Sequence, residues 1–189
     1  MKAQLFAISV LAVSLAYAVI TPAVTDKKTK ANPSLASYAS HLQDLNKVTS
    51  HPLHMSQAVA MMCAAAPINS NSPHVNKYFD VYISPLEAPV IETGLGTYPA
   101  GSVILKRKYA DPAGEKTELY TGMVKRARGY NPTSGDWEYF VLSADGTQVE
   151  QSGHIASCMA CHQAYASSDF VTREYFTHPA NFTTGTVTW

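Results

Sequence analysis

Five consecutive residues, Cys158-Met159-Ala160-Cys161-His162, carry the clearest chemical signal in the chain. On a helix the two thiols lie roughly one turn apart, so both reach the vinyl groups along one porphyrin edge, and the adjacent imidazole points under the ring towards the iron. The spacing predicts a covalently bound haem c, one per chain, with Cys158 and Cys161 as thioether donors and His162 as the metal ligand. The other ring N–H of His162 then requires a carbonyl or carboxylate to set its orientation and basicity. Two rival uses of such cysteines are weaker. A thioredoxin-like pair sits at a helix N-terminus after a strand in a βαβ unit, which the surrounding sequence lacks. A zinc site needs a second ligand pair at metal spacing, and none follows.

Whether the sixth position of the iron is open or filled decides between ligand chemistry and electron transfer. Met55, Met61, Met62, Met123, His154 and His178 are the internal candidates. The helical methionines read first as core filler. His154 is too close to His162 to swing to the opposite haem face, and His178 sits in a Thr-His-Pro tail suited to solvent. Met123 shares a strand face with Thr121, and Gly122 between them lets another group approach the backbone closely. Both core packing and iron ligation suit it. Lys106 is similarly ambiguous: it extends the apolar strand Val103-Ile104-Leu105 with Ile104 on its own face, so its amine reaches either solvent or a haem pocket.

These residues need elements to hold them. Leu35, Tyr38, Leu42 and Leu45 recur at helical spacing after Asn32 and Pro33, predicting a helix of about 13–15 residues. His51-Pro52 ends it, and a second helix is expected from Leu53 to Ala65, with Val59, Met62 and Cys63 facing a core and Pro67 as the stop. From Tyr78 the pattern becomes β. Tyr78–Ser84, Ser102–Tyr109, Glu118–Arg128 and Trp137–Leu142 are rich in aromatic and β-branched residues, and Gly-, Pro- and Asn-containing turns separate them. Short connections between successive strands favour an antiparallel sheet. A short helix fits Pro85–Gly94, and a last one, Ile155–Tyr165, carries the cysteine motif. The predicted class is α+β: a mainly antiparallel sheet, N-terminal helices and a C-terminal helical haem segment.

Composition sets the compartment and the size. Lys2 precedes the apolar run Leu5–Tyr17, which is too short for a comfortable bilayer span, and Ala16-Tyr17-Ala18 offers a small-x-small cleavage pattern. Residues 1–18 are expected to be a signal peptide, 19–32 a flexible lead-in and 33–189 a single domain. Losing Lys2 leaves 13 basic against 14 acidic residues, a balance that gives no case for nucleic acid or an anionic membrane surface. The three cysteines do not make an even disulfide framework; Cys63, left over, suits burial or, as a lesser alternative, an intersubunit disulfide.

With its motif near the C-terminus and behind a sheet, the chain resembles the cytochrome P-460 and cytochrome c′-beta family. The shared residues are Tyr98-Pro99-x-Gly101-Ser102-Val103-Ile104-x-Lys106, Gly122-Met123-Val124-Lys125-Arg126, Gly129-Tyr130-Asn131-Pro132, Gly135-Asp136-Trp137 and Cys158-x-x-Cys161-His162. The resemblance implies a homodimer with an open, five-coordinate haem in an apolar distal pocket. It implies one of two activities: hydroxylamine oxidation with a lysine–porphyrin bond, or binding of nitric oxide and similar gases without that bond. Lys106 falls where the cross-linking lysine is expected, and Met123 lines the same stretch. The proton-relay glutamate of the oxidising members would fall near Thr121, whose hydroxyl can hydrogen-bond a ligand but is a poor base near neutral pH.

The expected function is therefore a periplasmic or otherwise exported cytochrome that binds or transforms small nitrogen-oxide ligands, with a redox partner protein wherever electrons must leave. A six-coordinate electron carrier closed by Met123 or a histidine is the rival, and a gas-binding or sensing protein without turnover is the third reading.

Overall fold

Alternating apolar residues build the sheet on which the site rests. The computed structural model describes residues 34–55, 75–94 and 96–175. Among these, seven strands form one antiparallel sheet: β1 (Asn46–Lys47), β2 (Leu53–Met55), β3 (Lys77–Ile83), β4 (Val103–Tyr109), β5 (Thr117–Lys125), β6 (Trp137–Leu142) and β7 (Val149–Gly153). The order is β1-β3-β4-β5-β6-β7, with β2 pairing the other end of β3. The chain is α+β and mostly antiparallel sheet, as the strand-and-turn pattern predicts.

Register decides which residues share a face. Val81, Lys106, Thr121 and Val141 form one row across four strands, and Ile83, Ile104, Met123 and Tyr139 form the next row on the same side. Tyr82, Leu105, Gly122 and Phe140 form a row on the opposite side. Each face carries its own core. The first gathers Phe79, Val81, Ile83, Ile104, Met123, Trp137 and Tyr139, and Ile155, Cys158 and Met159 pack on it. The second gathers Tyr82, Leu105, Tyr120, Val124, Phe140 and Leu142 under Tyr38 and Leu45. Each fully buried side chain of this size is worth about 1.5–3 kcal/mol. The cysteine motif therefore sits on one defined face of the sheet.

The helical ends depart from the sequence reading. The long helix expected after Pro33 is one α-turn, α1 (Ser37–Ser40), and a 3-10 turn at Leu42–Asp44, followed by β1. Local side chains compete for its backbone: Ser37 Oγ donates to the Ser34 carbonyl at 2.6 Å, and Ser40 Oγ to that of Ser37 at 2.9 Å. The second expected helix fails at its start, because Leu53–Met55 is β2, whose backbone is satisfied by the edge of β3. The rest of that helix, with Met61, Met62 and Cys63, lies outside the described residues. β7 escaped the sequence reading because four of its five residues are exposed and show no apolar alternation. The helix expected at Pro85–Gly94 is a 3-10 turn at Pro85–Glu87 leading into α2 (Ala88–Thr93), closed by Gly94 at φ 68°. The motif helix is shorter than expected: α3 (Ala156–His162) gives way to 3-10 turns over Gln163–Ser168.

Candidate functional site

α3 brings the three chemical residues to one place. Cys158 and Cys161 are half-buried one turn apart and carry thiols rather than a disulfide; Cys158 packs on the first core. His162 closes the helix with its ring 5.1 Å from that of Tyr139. Its Nδ1 lies 2.7 Å from the Phe170 carbonyl, so Nδ1 holds the proton and donates, and Nε2 keeps its lone pair. Burial pushes the His162 pKa down to about 4; the Phe170 carbonyl opposes this and the charge of Lys106 adds to it. The imidazole is thus neutral near pH 7, the form that binds a metal.

The sheet supplies the rest of the pocket. Lys106 and Thr121 are direct cross-strand partners on the face that α3 covers. Lys106 is half-buried, and its Nζ lies 5.0 Å from the Phe79 ring centre and 4.3 Å from that of Tyr175, a cation held over aromatic faces. Met123, one row along, is buried in the first core between Ile104 and Tyr139. Met55 is buried in the same core. His154 is exposed and stacks edge-on against Tyr130 at 5.0 Å. His178 lies outside the described residues. The close approach expected at Gly122 comes from the ring of Phe140, on the face opposite the site.

Three features escaped the sequence reading. Lys108 follows Lys106 on the same face, yet it is fully buried, with Nζ 5.4 Å from the Phe79 ring centre. Burial pushes its pKa well below the usual lysine range, and the charges of Lys106 and Lys77 push the same way against the two motif thiols. Strand alternation from Lys106 was the signal that could have found it. The other two are Phe170, which acts through a backbone carbonyl that leaves no mark in residue type, and Asp169, whose carboxylate meets Lys125 from a distant part of the chain.

A sheet face offering an amine and a hydroxyl, with a helix packed on it that carries two thiols and a tethered neutral imidazole, is the candidate site for a haem. The donor set fits that group: one nitrogen donor is oriented and proton-free, and two free cysteines stand three residues apart on the same helix. The family model for Cytochrome P460 matches residues 57–173, and the chain belongs to that family. It is a haem protein of the cytochrome type, and its family links it to the metabolism of nitrogen compounds. No curated protein matches the chain.

Proposed function

We propose that this chain is an exported mono-haem c cytochrome whose iron takes up small nitrogen-oxide ligands, nitric oxide or hydroxylamine, at an open position. One observation carries the reading: the 2.7 Å contact between His162 Nδ1 and the Phe170 carbonyl leaves Nε2 as a preformed ligand on the helix that holds Cys158 and Cys161. Cys158 and Cys161 would hold the porphyrin by thioethers, and His162 would hold the iron. The bound group supplies redox chemistry and a site for diatomic or hydroxylamine-sized ligands. The chain does the remainder. Apolar residues of the first core exclude water, Thr121 offers a hydroxyl to a bound ligand, and Lys106 places a cationic or nucleophilic amine beside it. A threonine is a poor proton acceptor, so the reading favours ligand binding over efficient hydroxylamine oxidation.

The test is an optical spectrum of reduced protein matured in a host that exports and attaches haem, before and after nitric oxide or carbon monoxide. A rapid spectral change on addition supports the open site. No change supports a second reading, the electron carrier, for which Met123 is the ligand to examine because it is buried on the site's face. Colourless protein overturns both.

A further inference from the structure

We propose that Asp169, clamped by Lys125, is the positioning residue for the imidazole of His162; this rests on the haem-ligand reading above. The carbonyl that tethers His162 belongs to Phe170, and something must aim it. Asp169 and Phe170 both take left-handed backbone conformations, at φ 55° and φ 64°. Two such residues in succession, neither a glycine, persist only where their surroundings over-determine them.

The surroundings do so. Both carboxylate oxygens of Asp169 accept from Lys125 Nζ at 2.6 Å, and Oδ2 also accepts the Tyr98 backbone N–H at 2.8 Å. The Asp169 carbonyl accepts from Trp137 Nε1 at 2.8 Å, and the Phe170 N–H donates to the Tyr165 carbonyl at 2.8 Å. The ion pair is sheltered, with side-chain exposures of 10% for Lys125 and 7% for Asp169. Gly135 makes room: a Cβ there would stand 2.6 Å from Phe170 Cδ2 and 2.8 Å from Asp169 Oδ1. Tyr98, Lys125, Gly135 and Trp137, from three separate sequence motifs, thus converge on one two-residue turn.

The consequence reaches the iron ligand through one hydrogen bond. A fixed acceptor on Nδ1–H raises the basicity of Nε2, strengthening its bond to iron and favouring the oxidised state. Loosening the clamp lets the turn relax and weakens that acceptor. Neutralising Asp169 alone would also leave the sheltered Lys125 cation without its counter-charge beside the turn that holds His162, which pushes the potential in the same direction, so charge and position must be separated.

The experiment uses intact holoprotein and reads the ferrous iron–histidine stretch by resonance Raman together with the midpoint potential. Asp169→Asn is expected to lower the stretching frequency and raise the potential. The double variant Asp169→Asn with Lys125→Met removes both charges and should keep the lowered stretch. Lys125→Arg preserves the pair and should stay close to the parent, whereas Lys125→Met should not. An unchanged stretch in Asp169→Asn, or its return to the parent value in the double variant, overturns the proposal. If Asp169→Asn does not fold, equal stretches in Lys125→Arg and Lys125→Met overturn it instead, and a lowered stretch in Lys125→Met alone upholds it. A parent protein without covalent haem would sink the haem reading itself, a result distinct from all of these.

Discussion

Lys106 and Thr121 stand opposite one another in the β4–β5 ladder, so the amine and the hydroxyl share one row of the face that α3 covers. Neither has a carboxylate opposite it in that row, where the flanking partners are Val81 and Val141. Thr121→Val keeps the shape and removes the hydroxyl. If that hydroxyl holds a bound ligand, its loss is worth about 1–1.5 kcal/mol, close to a tenfold faster ligand release. Stopped-flow displacement of nitric oxide from the reduced protein measures it. An unchanged release rate would remove Thr121 from the ligand's surroundings.

Gly122, between Thr121 and Met123, shows how tightly the other face is built. Its cross-strand partner is Phe140, and a Cβ at Gly122 would collide with the tip of that ring, at Cζ, Cε1 and Cε2. Gly122→Ala is expected to destabilise the fold by about 1–3 kcal/mol through overpacking, with the site's own face untouched. Urea denaturation gives the stability and the optical spectrum reports the site. A variant as stable as the parent would show that the ring moves aside at no cost.

The same two strands explain what was legible in the sequence. Strand alternation in Val103–Tyr109 and Thr117–Lys125 pairs Thr121 with Met123 and Lys106 with Ile104 on the faces of their own strands, while the register that sets Lys106 opposite Thr121 is written in no residue type. The Cys158–His162 motif was legible because its chemistry demands fixed spacing. The N-terminal turns were not: Leu35, Tyr38, Leu42 and Leu45 keep helical spacing, while Ser37, Ser40 and His41 hydrogen-bond the Ser34 and Ser37 carbonyls and divert the backbone. The tether on His162 was foreseen as a need, yet its acceptor was hidden because a carbonyl belongs to every residue. Lys108 was hidden for another reason, since lysine in a strand reads as solvated until its neighbours are known.

Lys108 supplies a stability prediction with a definite sign. Burial holds its pKa well below the ordinary lysine value, so between the two values the unfolded chain binds a proton that the folded chain does not. Stability contributed at high pH is therefore lost as pH falls from about 10.4 towards the folded value. Lys108→Met keeps the length and discards the titration. At pH 7 the variant should be more stable than the parent by about 1–3 kcal/mol, and the gap should narrow as pH rises towards 10. Urea midpoints of haem-free protein at several pH values measure both effects. A destabilised variant would mean that the amine makes contacts worth more than its burial costs.

Glu87 offers the mirror case at the foot of α2. It is fully buried, and neither carboxylate oxygen makes a well-formed hydrogen bond. Burial pushes its pKa well above the usual carboxylate range, while the Ser84 hydroxyl and the nearby Val103 and Ser84 amides pull weakly the other way. Below the ordinary value both states hold the proton and nothing is lost. As pH rises past about 4.3 the unfolded chain releases its proton first, so the folded chain binds more protons and stability falls. The loss is about 1.4 kcal/mol for each pH unit until the folded value is reached. Glu87→Gln cannot ionise, so the gap between its urea midpoint and the parent's should widen in the variant's favour as pH rises past about 4.3, leaving the variant the more stable of the two near neutrality. Parallel pH profiles for the two proteins would show that Glu87 ionises in the folded state with a partner already in place.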